Sequence, residues 1–189
     1  MCGRYQFTTG SDDMSSAIVD MLDRHYPGEY KTGEIFPGDT APAVISDGGR
    51  IVAVPAIFGF PGYQDGKLLI NARFETAAQK PTFADSLRER RIILPASGFY
   101  EWSRDAKRMK YLFTVGGENL IYLCGVYKFI EGKRHFAILT RDANASMIET
   151  HDRMPIIISR EEVRAYLTER KAAMALIDSA SPLLERTTA

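Results

Sequence analysis

The chain is poor in the residues that most often announce chemistry: two cysteines, three histidines and one tryptophan among 189 residues. Cys2 and Cys124 form neither a disulfide framework nor a metal-ligand spacing, so two free thiols in a reducing cytoplasm are expected. Net charge is also lacking, with 24 basic and 24 acidic side chains, which argues against a wholly basic nucleic-acid binder. No apolar run approaches the ~20 residues of a membrane span, and no basic-then-apolar leader opens the sequence, so no membrane partner is expected. Zinc-site spacing, a P-loop and a dinucleotide fingerprint are all missing, and neither metal nor cofactor is expected.

What is present is ordinary in bulk. Apolar residues make up 45% and charged residues 25%, as in a soluble globular protein, and the length suits a single domain over 1–189. The charge is unevenly spread. Residues 11–47 hold eight acids against Arg24 and Lys31, whereas residues 86–110 hold seven bases against Glu89, Glu101 and Asp105. That asymmetry fits a local basic face for a phosphate backbone, and it fits solvated surface equally well.

Alternation and turn residues predict many short strands: 3–8, 43–46, 50–57, 68–71, 92–95, 99–102, 111–115, 120–127, 135–140 and 156–158. Asp47-Gly48-Gly49 reads as a hairpin turn, and 111–115 and 120–127 read as a hairpin about Gly116–Asn119. Residues 28–42 and 151–155 read as irregular. Helices are expected from an N-cap at Ser11 to Tyr26, over 83–89, near 143–148, from the Ser159–Glu162 capping box to Leu167, and near 172–178. The pattern predicts an α+β fold with a curled, barrel-like, mostly antiparallel β core, peripheral short helices and a core over about 2–180. Residues 185–189 are expected to fray.

Four residues invite a chemical reading. Cys2 is one cleavage from the amino terminus, where it would carry a thiol and an α-amine on adjacent carbons, with reference pKa values near ~8.5 and ~8. Glu101 sits among aromatics in Gly98-Phe-Tyr-Glu-Trp102; apolar surroundings would tune it for general acid–base work, and a solvent-facing position would leave it idle. His151 stands in a polar loop before a proline-led apolar stretch, whereas His25 reads as a helix-end charge and His135 as structural. Asn71 ends an apolar strand and either caps it or points into a cleft. Arg4, Arg73 and Arg153 each lie within two residues of one of these, a pattern that suits phosphate recognition.

Several segments together carry a resemblance. Met-Cys-Gly-Arg-Tyr at 1–5, Ile-Asn-Ala-Arg-Phe-Glu-Thr at 70–76 and Leu-Pro-Ala-Ser-Gly-Phe-Tyr-Glu-Trp at 94–102 fit one pattern. Ala-Ile-Leu-Thr at 137–140, Ala-Asn at 143–144 and His-Asp-Arg-Met-Pro at 151–155 continue it in order. The sequence resembles the SOS-response-associated peptidase (SRAP) family, the abasic-site processing proteins. The resemblance implies a DNA-binding cleft with Cys2 at its floor, and covalent capture of abasic sites in single-stranded DNA by a monomer. Removal of Met1, an activity implied in the family's name, would expose the α-amine of Cys2. The amine would form a Schiff base with the ring-opened sugar aldehyde, and the thiol would close a thiazolidine.

By the same resemblance Glu101 serves as acid–base, His151 in sugar ring opening and crosslink release, and Asn71 in orienting the Cys2 terminus. β-Elimination at the abasic site would be a second outcome. Arg4, Arg73, Arg153, Trp102, Phe58 and Pro37 are carried over as DNA contacts. Where many relatives have a tryptophan-rich segment, this chain has Phe58-Gly-Phe60, so Phe58, Phe60 or Tyr63 is expected to supply the aromatic wedge. Two other readings of the residues remain: an N-terminal cysteine amidohydrolase, and a non-enzymatic single-strand-binding module.

Overall fold

The computed structural model describes residues 2–10, 12–62, 64 and 66–189. Strand β1 (Tyr5–Phe7) and helix α1 (Asp13–His25) precede β2 (Gly33–Ile35), β3 (Thr40–Asp47), β4 (Arg50–Phe58), β5 (Phe60–Pro61), β6 (Leu68–Leu69) and β7 (Asn71–Arg73). Helices α2 (Phe74–Ala77) and α3 (Ala84–Glu89) lead to β8 (Arg91–Ala96), β9 (Gly98–Trp102), β10 (Lys110–Val115), β11 (Ile121–Ile130) and β12 (Lys133–Asp142). Then follow β13 (Arg153–Pro155), β14 (Ile157–Ile158), α4 (Val163–Thr168), α5 (Arg170–Asp178) and β15 (Leu184–Thr188).

The fold is α+β and mostly strand. In the larger sheet β12, β4, β3, β8 and β11 pair in turn and β11 returns to β12, so the sheet curls into a ring. Pairing is mostly antiparallel, with β12 running parallel to β4 and β7. A second sheet, in the order β15-β10-β9-β1-β2, carries the amino-terminal strand between β9 and β2. Strand alternation sorts the core into two layers. Ile92 and Leu94 of β8, Leu123 of β11, and Phe136 and Ile138 of β12 join one cluster, which also holds Cys2, Tyr5 and Met154. Their neighbours Ile93, Cys124, Ala137 and Leu139 face the other way, onto Ile18, Leu22, Leu87, Tyr166 and Ile177 of the helices.

Local chemistry accounts for the expected elements. The two residues between Asp47 and Arg50, Gly48 and Gly49, have φ of +57° and +83°, the doubly positive turn that matches strand twist in a two-residue hairpin. Helix α1 begins with a reciprocal cap: Asp12 Oδ1 accepts from the Ser15 N–H at 2.6 Å, and Ser15 Oγ accepts from the Asp12 N–H at 3.2 Å. The cap is therefore Asp12; Ser11, the expected cap, lies outside the described residues.

Five expectations are corrected. Residues 28–42, expected irregular, hold β2, paired with β1, and the start of β3, paired with β4. Residues 111–115 and 120–127 form no hairpin: β10 pairs with β9 and β15, while β11 pairs with β8, β12 and β14. The glycine turn between them carries the chain from one sheet to the other. Residues 143–148 do not make a helix, because Asn144 Oδ1 accepts from the Ser146 N–H at 3.1 Å and its hydroxyl at 2.6 Å, diverting the backbone into turns. Arg153–Pro155, expected as loop, pairs with β12. Residues 185–189 are not frayed, since β15 pairs with β10 from Tyr111↔Thr188 to Val115↔Leu184.

Candidate active site around Cys2

Cys2 lies three residues before β1, and β1 is held by β9 with Tyr5 opposite Phe99. The Tyr100 N–H donates to the Arg4 carbonyl at 2.8 Å, extending this pairing toward the amino terminus. Carried on in the same register, it sets residues 2–3 beside Glu101 and Trp102. Cys2 is fully buried in the inner cluster. Burial, reinforced by the nearby Glu101 carboxylate, pushes its thiol well above the ordinary range. The thiol meets the Arg4 carbonyl, 3.9 Å from Sγ.

Asn71 comes from the other sheet, on β7, which lies parallel to β12 with Asn71 opposite Ile138. Its Nδ2 donates to the Cys2 carbonyl at 3.2 Å. Its buried Oδ1 has no hydrogen-bond partner among the described residues. Strand β12 thus serves the site twice, because its other edge pairs with β13, two residues after His151. The structure therefore brings Cys2, Asn71, Glu101 and His151 to one place.

Glu101 is 5% exposed, on the inward side of β9. Glu101 and His151 line the same open cleft of about 510 Å³, together with Trp102, Arg104 and Arg108. His151 Nδ1 accepts from the Arg153 backbone N–H at 2.9 Å, which places the proton of a neutral ring on Nε2. Asp152 Oδ1 lies at the same distance from that nitrogen and competes for it, favouring a proton on Nδ1. Burial first, and then the amino-terminal charge, lower the His151 pKa against the pull of the Glu101 and Asp152 carboxylates; this favours the neutral ring, whose tautomer the Arg153 bond sets. His135, by contrast, is structural, its Nδ1 meeting the Gly59 carbonyl at 2.8 Å.

The expected DNA contacts divide. The Arg4 guanidinium sits between the rings of Phe36, 4.2 Å from its carbon, and Trp102, 4.9 Å away, and also meets Glu34 at 3.3 Å. Arg73 and Pro37 are exposed, and Trp102 is half-buried. Arg153 is not an open phosphate contact: it is 7% exposed, and its guanidinium is engaged by Glu75, Asp142 and the Thr140 carbonyl. Phe58 is not an exposed wedge either. It is fully buried and stacked on Phe136 with ring centres 4.9 Å apart. Phe60 is buried in the other core layer, and Gly59, at φ +110°, turns the chain between them. Tyr63 lies outside the described residues. Sequence reading passed over Phe36, Arg104 and Arg108; the basic run at 86–110 was the signal for the two arginines, and nothing local marked the phenylalanine.

A strand ring that buries a cysteine at residue 2 beneath a polar cleft, facing Asn, Glu and His, defines a protein built around its amino terminus. The family model described as SOS response associated peptidase (SRAP) matches residues 1–188, and the chain belongs to that family. Among similar proteins is the abasic site processing protein YoaM of Bacillus subtilis, 30% identical over 195 residues, with 95% of this chain and 84% of that protein covered. The abasic site processing protein YedK of Escherichia coli is 27% identical over 181 residues, with 89% and 80% covered. Crystal structures of proteins from Bacteroides thetaiotaomicron and Bordetella bronchiseptica each have a TM-score of 0.77 at 18% identity. The first covers 99% of this chain and 91% of its own, the second 100% and 99%, and both share the fold.

Proposed function

We propose that this protein processes abasic sites in single-stranded DNA by covalent capture on Cys2 after loss of Met1. The relatives named as abasic site processing proteins support the substrate class. The observation that carries the mechanism is the Asn71–Cys2 hydrogen bond, which fixes residue 2 where the Glu101 carboxylate acts on its thiol, and Glu101 shares a cleft with His151.

The electrostatics order the steps. A thiol raised by burial stays protonated at neutral pH and is a poor first nucleophile, which weighs against an amidohydrolase that attacks with sulfur. The α-amine, with a reference pKa near ~8, attacks the aldehyde carbon first, and loss of water gives the imine. Asn71 Oδ1 is available to orient that amine. The thiol then adds to the imine carbon, and its proton passes through the Glu101 carboxylate to the former imine nitrogen, closing the thiazolidine. Holding the thiol one carbon from the imine supplies the effective concentration for closure. His151, neutral with its proton on Nε2, donates to sugar oxygen in ring opening and assists release in reverse. β-Elimination from the imine and self-removal of Met1 belong to the same reading, as do a monomeric state and a cytoplasmic location. Arg4, Arg73, Arg104 and Arg108 supply cations for the phosphates.

The test is a denaturing gel of protein incubated with a single-stranded oligonucleotide bearing one abasic site. Wild type is expected to give a shifted band that survives denaturation, and Cys2→Ala none. No band from wild-type protein whose Met1 is gone by mass spectrometry would contradict the proposal.

A further inference from the structure

Arg153 joins three parts of the site. Its Nη1 and Nη2 donate to the two carboxylate oxygens of Glu75 at 2.8 and 2.7 Å, a planar fork that fixes orientation as well as charge. Nη1 also meets Asp142 Oδ1 at 2.5 Å, and Nη2 the Thr140 carbonyl at 2.7 Å, both on β12. Glu75 sits on α2, which follows directly from the Asn71 strand. Hydrogen bonding to Arg153 holds the Glu75 carboxyl below the usual range. The Arg153 backbone N–H is the group that binds His151 Nδ1.

That last bond has a competitor. The Asp152 carboxylate, 2.9 Å from the same nitrogen and itself 3.3 Å from Arg104, stabilises a proton on Nδ1. The Arg153 N–H holds Nδ1 as an acceptor and so places the ring proton on Nε2. The geometry points to Glu75 and Arg153 as a positioning pair that fixes the His151 tautomer and ties the histidine loop to the Asn71 strand. Glu75 touches no reacting atom. It acts through Arg153, and the His151 step it serves rests on the proposed function above.

The test begins without DNA. In full-length protein with ¹⁵N-labelled histidine, above the pH at which His151 titrates, ring nitrogen shifts report the tautomer directly, and His151→Gln assigns the signal. Wild type is expected to show Nε2–H alone, and Glu75→Gln a mixture with Nδ1–H. Arg153→Lys, which keeps the charge and loses the fork, is expected to move the signal the same way. Asp85→Asn, which removes a carboxylate from the surface of α3, is expected to leave it unchanged. With abasic DNA, Glu75→Gln is expected to slow crosslink release about tenfold, the scale of a slightly misplaced proton donor.

A His151 signal in Glu75→Gln identical to wild type, with release within about twofold, would overturn the pairing. Tighter DNA binding by Glu75→Gln with an unmoved tautomer would also overturn it, making Arg153 a masked phosphate contact. A shifted tautomer with release indifferent even to His151→Gln would support the pairing and contradict the role given to His151.

Discussion

The molecule contains two cysteines in environments that look alike by burial and differ in everything else. Cys2 and Cys124 are both fully buried, and burial raises both thiols. Cys124 lies on the outer face of β11 in the helix-covered layer, beside Tyr166, whose hydroxyl donates to the Gly125 carbonyl at 2.7 Å. The same hydroxyl hydrogen-bonds with the Cys124 thiol, among otherwise apolar side chains. Cys2 lies in the inner layer, its carbonyl held by Asn71, with Glu101 acting electrostatically on its thiol and leading to the cleft. What stands beside a buried thiol sets its reactivity, and here Tyr166 hydrogen-bonds to Cys124 whereas Glu101, which lines the cleft, acts on Cys2.

Exchanging the two cysteines in turn gives the sharpest contrast. Cys2→Ala is expected to abolish the denaturation-stable adduct, while Cys124→Ala keeps it and lowers stability by about 1–2 kcal/mol through a small cavity, read from urea midpoints. A Cys124→Ala protein that cannot capture would erase the distinction. Asn71→Ala, which frees the Cys2 carbonyl, is expected to slow capture about 10- to 100-fold in single-turnover gels with little change in melting temperature. Glu101→Gln is expected to slow ring closure more than imine formation, so borohydride-trapped imine should accumulate; equal rates would refute the proton transfer.

On the other side of the comparison, Tyr166→Phe should cost about 1 kcal/mol by losing the bond to Gly125, with capture unchanged. The smallest effects are those of pH. Both thiols have folded pKa values above their unfolded ones, so their stability is full below ~8.5 and declines as pH rises beyond it. The His151 pKa is lowered on folding, so the unfolded chain binds the extra proton; stability is full above ~6.5 and declines as pH falls through that window. Urea midpoints across pH should form a plateau between these limits, with the alkaline slope reduced in Cys2→Ala.

The candidate site was largely legible because its motifs are short and contiguous: Cys2, Asn71, Glu101 and His151 each sit in a segment with a recognisable pattern, and the structure gathers them. The α+β class and the hairpin at Gly48–Gly49 followed from alternation and turn chemistry. Illegible were the choices that depend on distant partners. Nothing near Gly116–Asn119 tells whether β10 and β11 pair or enter different sheets. Residues 185–189 looked like a tail because their sheet edge, β10, lies about 75 residues away in sequence. Arg153 and Phe58 look like surface contacts until Glu75 and Phe136 are seen to occupy them.

The central claim is that both nucleophiles of Cys2 take part in one ring, and peptide mass spectrometry of the adduct tests it directly. After nuclease and trypsin digestion, the expected product is the peptide Cys2–Arg4 without Met1, carrying the sugar remnant with loss of one water and refusing alkylation at sulfur. An adduct on a lysine, a retained Met1 on the modified peptide, or a Cys2 thiol that still alkylates would contradict it.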